Sequence, residues 1–172
     1  MKAENSKFMK IINYIGQPIL YLFIISSGLQ VGAATFEMFV ITPLWSGSTP
    51  ESVTNWNPVA QFAINPGLYW TKGTGSYALC TFLMLGVAWF LPQAQRKLVL
   101  LAGTLALLVL ISTALFFIPI LMKTIATRGA GFSGAEITQM ANSWVNWNWL
   151  RFAAGLIAWI ATIRALTLSS GD

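Results

Sequence analysis

Four long apolar stretches, separated by shorter polar segments, set the pattern of this chain. They cover about residues 15–44, 68–91, 97–122 and 146–168, and each is long enough for a helix that crosses a membrane, which takes about 20 residues. The connection at 92–95 is so short that the second and third helices must be antiparallel neighbours. The pattern predicts an all-α fold: an integral membrane four-helix bundle with structured outer loops, in one domain over residues 1–172.

Two polar segments connect these stretches. The first, after Trp45, is rich in proline and turn formers, but its interleaved aromatic residues favour a folded cap on the membrane surface over a solvated linker. The second ends in Ser133, three residues before Glu136, which is the spacing of a capping box. We therefore expect the last helix to begin there and to extend beyond the bilayer.

The orientation of the chain in the membrane depends on whether the first stretch is retained and on where the basic residues lie. A cleaved signal peptide is the alternative for the first stretch, but its apolar pattern continues beyond a possible cleavage site at Ala33 to Leu44, which favours an uncleaved helix. The basic residues predicted on the side of the termini are Lys2, Lys7, Lys10, Arg96, Lys97 and Arg164, against Lys72, Lys123 and Arg128 on the other. The positive-inside rule then predicts a multi-pass protein of the cell (inner) membrane with both termini in the cytoplasm.

The composition excludes several classes of function. Hydrophobic residues make up 56% of the chain and charged residues 9%, which excludes an ordinary soluble domain. Without histidine the chain has no imidazole for haem, zinc or acid–base catalysis, and with Cys80 as its one cysteine it has no dithiol pair. We predict no metal site and no cofactor. The net charge of +5 is spread around the predicted spans, so it indicates topology rather than nucleic-acid binding.

Two ionisable residues lie within the predicted spans. Glu37 precedes Trp45 by eight residues, which places it about 12 Å below that interfacial marker, and Arg151 lies just inside the last helix. Both should lie in the outer half of the membrane at comparable depth. Because an unpaired charge in a membrane is costly, we expect an ion pair between Glu37 and Arg151.

Polar and aromatic residues share helical faces with these two charges. Besides Glu37 and Arg151, the residues that we expect around a polar, tryptophan-lined pocket are Gln30, Trp45, Tyr69, Lys72, Trp144, Trp147 and Asn148. Lys72 could share the carboxylate of Glu37. The alternative is that these groups only hold four helices in register, as buried polar residues often do.

Two segments carry a resemblance to a known family. Residues 32–46, which include Glu37, and residues 144–151, with Asn148 between its tryptophans, resemble the four-helix membrane family that includes fungal anthrone oxygenases. The resemblance implies a four-helix bundle and cofactor-independent oxidation of a polycyclic phenol by oxygen. It gives Trp147, Asn148 and Arg151 as matching positions, and in a chain without histidine it leaves Glu37 as the evident base, so Glu37 and Arg151 are the catalytic candidates.

Three functions are compatible with these features. The first is a membrane protein that binds a hydrophobic aromatic small molecule in the outer half of the bundle. If it is an enzyme, it would be an oxygenase that acts on this molecule. The alternative is a non-enzymatic accessory subunit that packs against a larger membrane complex or against further copies of itself, with its aromatic cap as the interface. A small transporter or channel is the third, and four helices in one chain would then require oligomerisation.

Overall fold

The computed structural model describes residues 2–62 and 67–168, with side chains described for 15–62, 67–70 and 72–168. All regular elements in these residues are helices, which confirms the all-α class. The first long helix, α1, runs over Lys2–Phe36 and continues through a π-helical segment, Glu37–Ile41, into α2, Thr42–Ser46. Two short helices follow in the first polar connection: α3, Glu51–Thr54, and α4, Pro58–Gln61.

The other long helices differ in regularity. Helix α5 covers Gly67–Ala88, and α8 covers Gly134–Leu168 without interruption. Between them, α6 (Gln93–Ser112) continues through a π-helical segment, Thr113–Phe117, a short α7 (Ile118–Ile120) and a further π-helical segment, Leu121–Ile125.

Three of these helices are long and apolar enough to cross a membrane, as judged by length and composition: Ile15–Ser46, Gln93–Ile125 and Gly134–Leu168. They correspond to three of the four predicted spans. Helix α5 is not among them, because its first half contains Lys72 and a run of glycine, threonine and serine. It also ends at Ala88 rather than at the predicted residue 91.

The four long helices pack in a closed order that the sequence alone does not give. Helix α1 packs against α5 and α8, and α6 packs against the same two. The core at the end of the termini is built from Phe23, stacked on Tyr77 with ring centroids 5.7 Å apart, and from Met84. Small residues let α6 and α8 approach closely; they are Ala102, Ala106, Ala158, Ala161 and Ala165.

A second core lies at the opposite end, which we call the connection end because both polar connections lie there. Val53 and Trp56 of the first connection are buried beside Trp45 and Trp144, so this connection is folded, as predicted, up to residue 62, and its residues 63–66 lie outside the described part of the chain. Helix α8 begins with the predicted capping box. The backbone N–H and hydroxyl of Ser133 donate to Oε2 of Glu136 at 2.8 and 2.7 Å, and the Glu136 N–H donates back to the hydroxyl at 3.4 Å.

Candidate functional site

An ion pair joins the first long helix to the last. Nη2 of Arg151 lies 3.3 Å from Oε2 of Glu37, and the two side chains are 11% and 13% exposed. It is the pair predicted from the sequence. It is the one ion pair within the described part of the chain, so no other opposite charge there neutralises either group at this distance.

Aromatic rings surround the guanidinium of Arg151. Its Cζ lies 4.2 Å from the ring centroid of Phe117 and 5.8 Å from those of Trp70 and Trp144, within the range of cation–π attraction. Its Nη1 donates to Oγ1 of Thr113 at 3.3 Å. Arg151 therefore contacts residues from all three other long helical segments, and its planar cation is shielded from bulk solvent.

Three residues that Arg151 contacts on the neighbouring helices lie in the π-helical segments Glu37–Ile41 and Thr113–Phe117. Glu37 and Thr113 are the first residues of the two segments, and Phe117 is the last residue of the second. One turn before Arg151, the buried amide of Asn148 donates to the sulfur of Met38, which belongs to the same segment as Glu37. Single π-helical turns occur frequently at functional sites.

A proline follows two of the three π-helical segments, those at Glu37–Ile41 and Thr113–Phe117. Pro43 lies two residues after the end of the first segment and Pro119 two residues after the end of the second. A proline in a helix cannot donate to the carbonyl four residues earlier and its ring clashes with it. Those carbonyls belong to Phe39 and Leu115, inside the π-helical segments, where the wider turn accommodates the ring.

A small cavity lies among the four long helices on one side of Arg151. It has a volume of about 50 Å³, and every long helix contributes to its lining. Arg151 and the amide of Gln30 line it, and Nε2 of Gln30 is buried without a hydrogen-bond partner. Since a water needs about 10–15 Å³ of such volume, the cavity has room for a few waters or for one polar group of a larger molecule.

The cavity is closed toward the termini. Tyr77 lines it, and the next layer contains Phe23 and Met84, which are fully buried in the core. The packed core fills the space between the helices at this level, so the described residues form no open path along the bundle. The transporter or channel hypothesis, which requires several copies of the chain, stays a prediction.

The structure brings some of the predicted pocket residues together. Gln30 and Arg151 line the cavity, Trp144 lies over the guanidinium, and Asn148 is buried one turn away. Glu37 contacts Arg151 but does not line the cavity. These residues form one cluster.

The placement of the other four was wrong. Lys72 is exposed and forms no ion pair with Glu37 in the described part of the chain, and Tyr69 packs on Trp70 at the surface. Trp147 is 56% exposed. Trp45 is buried, but in the core of the connection end, edge-on to Trp144 at 5.1 Å.

The inward face of α5 was predicted on the wrong side of the helix, so the prediction differs from the structure by a rotation about the helix axis. The predicted inward face held Tyr69 and Lys72, whereas the observed one holds Trp70, Thr74, Tyr77 and Thr81. Trp70, Tyr77, Thr113 and Phe117 are therefore site residues that the sequence interpretation missed. For the last two, the nearby Pro119 is the signal in the sequence that could have drawn attention to this turn.

Comparisons of the chain with family models, with curated proteins and with solved structures find no match. The resemblance to anthrone oxygenases stays a prediction made from two segments. The function must therefore be argued from the cavity and from the charged pair beside it.

Proposed function

We propose that this chain is a multi-pass membrane protein whose four long helices cross the bilayer, and that its central cavity binds the polar end of a hydrophobic aromatic small molecule. The observation that carries the proposal is the pair of hydrogen-bond donors at the cavity. Nε2 of Gln30, a residue of the cavity lining, is buried without a partner, and Arg151 lines the same cavity. A buried donor without an acceptor costs about 1–3 kcal/mol, so a bound acceptor would stabilise this arrangement.

The surface supports the membrane assignment. Large apolar side chains are exposed on all four long helices, a surface that suits lipid rather than water; examples are Ile25, Leu29, Leu79, Phe82, Leu108, Leu115, Ile157 and Ile160. Three of the five exposed large apolar residues of α5, Leu79, Phe82 and Leu83, lie in its second half, which supports a fourth span despite the polar first half. The basic residues support a cytoplasmic location for both termini.

The charge balance limits the chemistry of the ligand. Glu37 already neutralises Arg151, so an added anion would leave a net negative charge in a buried site. A neutral acceptor, such as a quinone or ketone oxygen or a phenol, brings no such charge. A guanidinium has five N–H donors, and the structure uses Nη1 and Nη2 once each, so donors remain for such an oxygen.

The volume limits how the ligand can lie. Pockets that enclose a small molecule usually measure about 300–1,000 Å³, well above the 50 Å³ found here. The lining of this cavity includes the aromatic residues Trp70 and Phe152. We therefore place the polar substituent of the ligand at Gln30 and Arg151, and its apolar ring beside these aromatic walls.

The geometry favours binding over catalysis by Glu37. Its carboxylate is paired with Arg151 and is not part of the cavity lining, so it is poorly placed to take a proton from a molecule in the cavity. An oxygenase would need another base. The accessory-subunit alternative has no comparable cluster in its favour, and the experiment below distinguishes it.

The test uses two glycine variants of the whole protein. Gly155 lines the cavity and a Cβ there meets no atom within 4 Å, so Gly155→Leu should fill the space without a clash. Gly86 also has no atom within 4 Å of a Cβ but lies outside the cavity lining, which makes Gly86→Leu the matched control. The protein is purified in a mild non-ionic detergent, its organic extract is analysed by mass spectrometry, and binding of 1,4-naphthoquinone is followed by tryptophan fluorescence.

We expect the wild type and Gly86→Leu to retain a stoichiometric apolar aromatic molecule or to bind the quinone saturably. Gly155→Leu should do neither, while its unfolding temperature matches that of the control. Equal binding by both variants, or no ligand and no saturable quinone binding in the wild type, would contradict the proposal. Fixed copurifying chains with an empty extract would favour the accessory-subunit alternative.

A further inference from the structure

A second concave site lies on the surface near the connection end, away from the central cavity. It is a groove of about 360 Å³ between the start of α8 and the segment that contains α7. Its apolar walls are Phe116, Ile120, Phe132 and Met140, and its polar residues are Glu136, Gln139 and Ser143. None of these residues lines the central cavity, and the volume lies within the range of small-molecule sites.

The polar residues of the groove follow one face of α8. Glu136, Gln139 and Ser143 are spaced by three and four residues, so they lie in a row about 10 Å long. Glu136 is the one charged residue in the lining, and no lysine or arginine belongs to it. Ser133 donates both of its hydrogen bonds to Oε2 of Glu136, and Oε1 has no hydrogen-bond partner in the described part of the chain.

We propose that this groove binds an organic ammonium ion that carries an apolar body. The carboxylate of Glu136 supplies the opposite charge, and the rings of Phe116 and Phe132 supply π-faces for the cation. Ile120 and Met140 provide apolar contact for the body of the molecule. An anion would meet Glu136 without a neutralising partner in the groove, and a neutral apolar molecule would leave the carboxylate unused.

The groove extends across the proposed membrane boundary, because Phe116 and Ile120 belong to the span predicted at 97–122 whereas Glu136 lies on the water side of the last span. Helix α8 has 35 residues and is about 52 Å long, whereas the hydrocarbon core of a bilayer is about 30 Å thick. Glu136 lies ten residues, or about 15 Å, beyond the proposed start of the span at 146. The headgroup layer adds only about 5–8 Å on each side, so the carboxylate lies beyond it and is open to a water-soluble ammonium ion. This step alone rests on the proposed placement in the membrane.

The test compares three probes that share a benzyl group and differ in charge: benzyltrimethylammonium is a cation, benzyl alcohol is neutral and benzylsulfonate is an anion. Their binding to the whole protein in non-ionic detergent is measured by calorimetry. Glu136→Gln removes the charge but keeps a side chain that can complete the capping box, so α8 should begin as before. Glu51→Gln is the matched control, since Glu51 is also exposed in the first turn of a helix at the connection end, outside the groove.

We expect the ammonium probe to bind saturably and about tenfold more tightly than benzyl alcohol, with no measurable binding of the sulfonate. Glu136→Gln should remove most of this preference and Glu51→Gln none of it. Phe132→Leu should weaken the ammonium probe more than benzyl alcohol, because it removes a π-face but keeps an apolar wall. Equal ammonium binding by wild type and Glu136→Gln, or no saturable binding, would overturn the proposal. Gly155→Leu should leave this binding unchanged, so failure here and failure at the cavity are distinguishable.

Discussion

Removal of one charge from the buried pair of Glu37 and Arg151 should lower the stability of the folded protein far more than removal of both charges. Glu37→Gln leaves the Arg151 cation, 11% exposed, without its counter-charge, and Arg151→Met leaves the Glu37 carboxylate, 13% exposed, in the same position. Breaking a buried pair in this way costs about 3–5 kcal/mol. For a chain of this length that corresponds to a fall of about 6–20 °C in unfolding temperature.

The double variant loses a different set of interactions. It leaves no unpaired charge, but it gives up the cation–π contact of Arg151 with Phe117 at 4.2 Å and its hydrogen bond to Thr113 at 3.3 Å. These are worth about 1–3 kcal/mol together, and the methionine retains part of the packing on the ring. The sum of the two single effects should therefore exceed the double effect by several kcal/mol.

The assay is thermal unfolding of the four proteins in one detergent at one scan rate, followed by tryptophan fluorescence and circular dichroism. A fixed scan rate matters because unfolding of such proteins is often irreversible. Single variants that melt with the wild type, or a double variant that falls by the sum of the singles, would refute the reasoning. The first result would mean that the pair is solvated, and the second that its two members do not interact.

Three further results are expected. Ser133→Ala removes the cap of α8 and should cost about 1 kcal/mol, seen as a fall of a few degrees in unfolding temperature, while an unchanged value would contradict the cap assignment. Gly129→Ala should lower the stability of the folded protein by about 1–2 kcal/mol in the same measurement, because Gly129 has a φ of 74° and a Cβ would lie 2.4 Å from Cδ1 of Ile137. An unchanged unfolding temperature would show that this connection can rearrange. In a Cys80→Ser background, a membrane-impermeant maleimide added to intact cells should label Ser48→Cys and not Gln93→Cys, and the reverse pattern would overturn the proposed orientation.

The fold was predictable where hydrophobicity changes sharply along the chain. The hairpin between α5 and α6 follows from the short connection before Gln93, and the start of α8 follows from Ser133 and Glu136. The order in which the four long helices pack was not predictable. Each of them is apolar around most of its circumference, so the sequence does not show which face meets which neighbour.

The same lack of difference in hydrophobicity between the faces of a helix explains why the inward face of α5 was predicted wrongly. An amphipathic helix in water shows its inward face by its hydrophobic residues, but here apolar residues face both the core and the proposed lipid. We assigned the face with Lys72 to the interior because polar groups there could meet Glu37. The structure places Trp70 and Tyr77 inside instead, and Lys72 is exposed. By contrast, the pair of Glu37 with Arg151 was predictable, because only two ionisable residues lay deep within the predicted spans.

The π-helical segments limit how accurately the depth and direction of a side chain can be predicted by counting residues along a helix. A rise of 1.5 Å per residue places Glu37 and Arg151 at comparable depth, but a π-helical turn holds more residues than an α-helical one and rotates the side chains that follow it. Pro43 and Pro119 each follow such a segment at the same distance, yet Pro18 lies within α1 without one, so proline alone does not predict a π-helical turn. The segments before Pro43 and Pro119 hold residues that contact Arg151, namely Glu37, Thr113 and Phe117, whereas the third π-helical segment, Leu121–Ile125, has neither a following proline nor, among the residues that the structure describes, such a contact. Neither feature alone therefore predicts where the α-helix widens, so the depth and rotation of the residues beyond such a segment cannot be counted from the sequence.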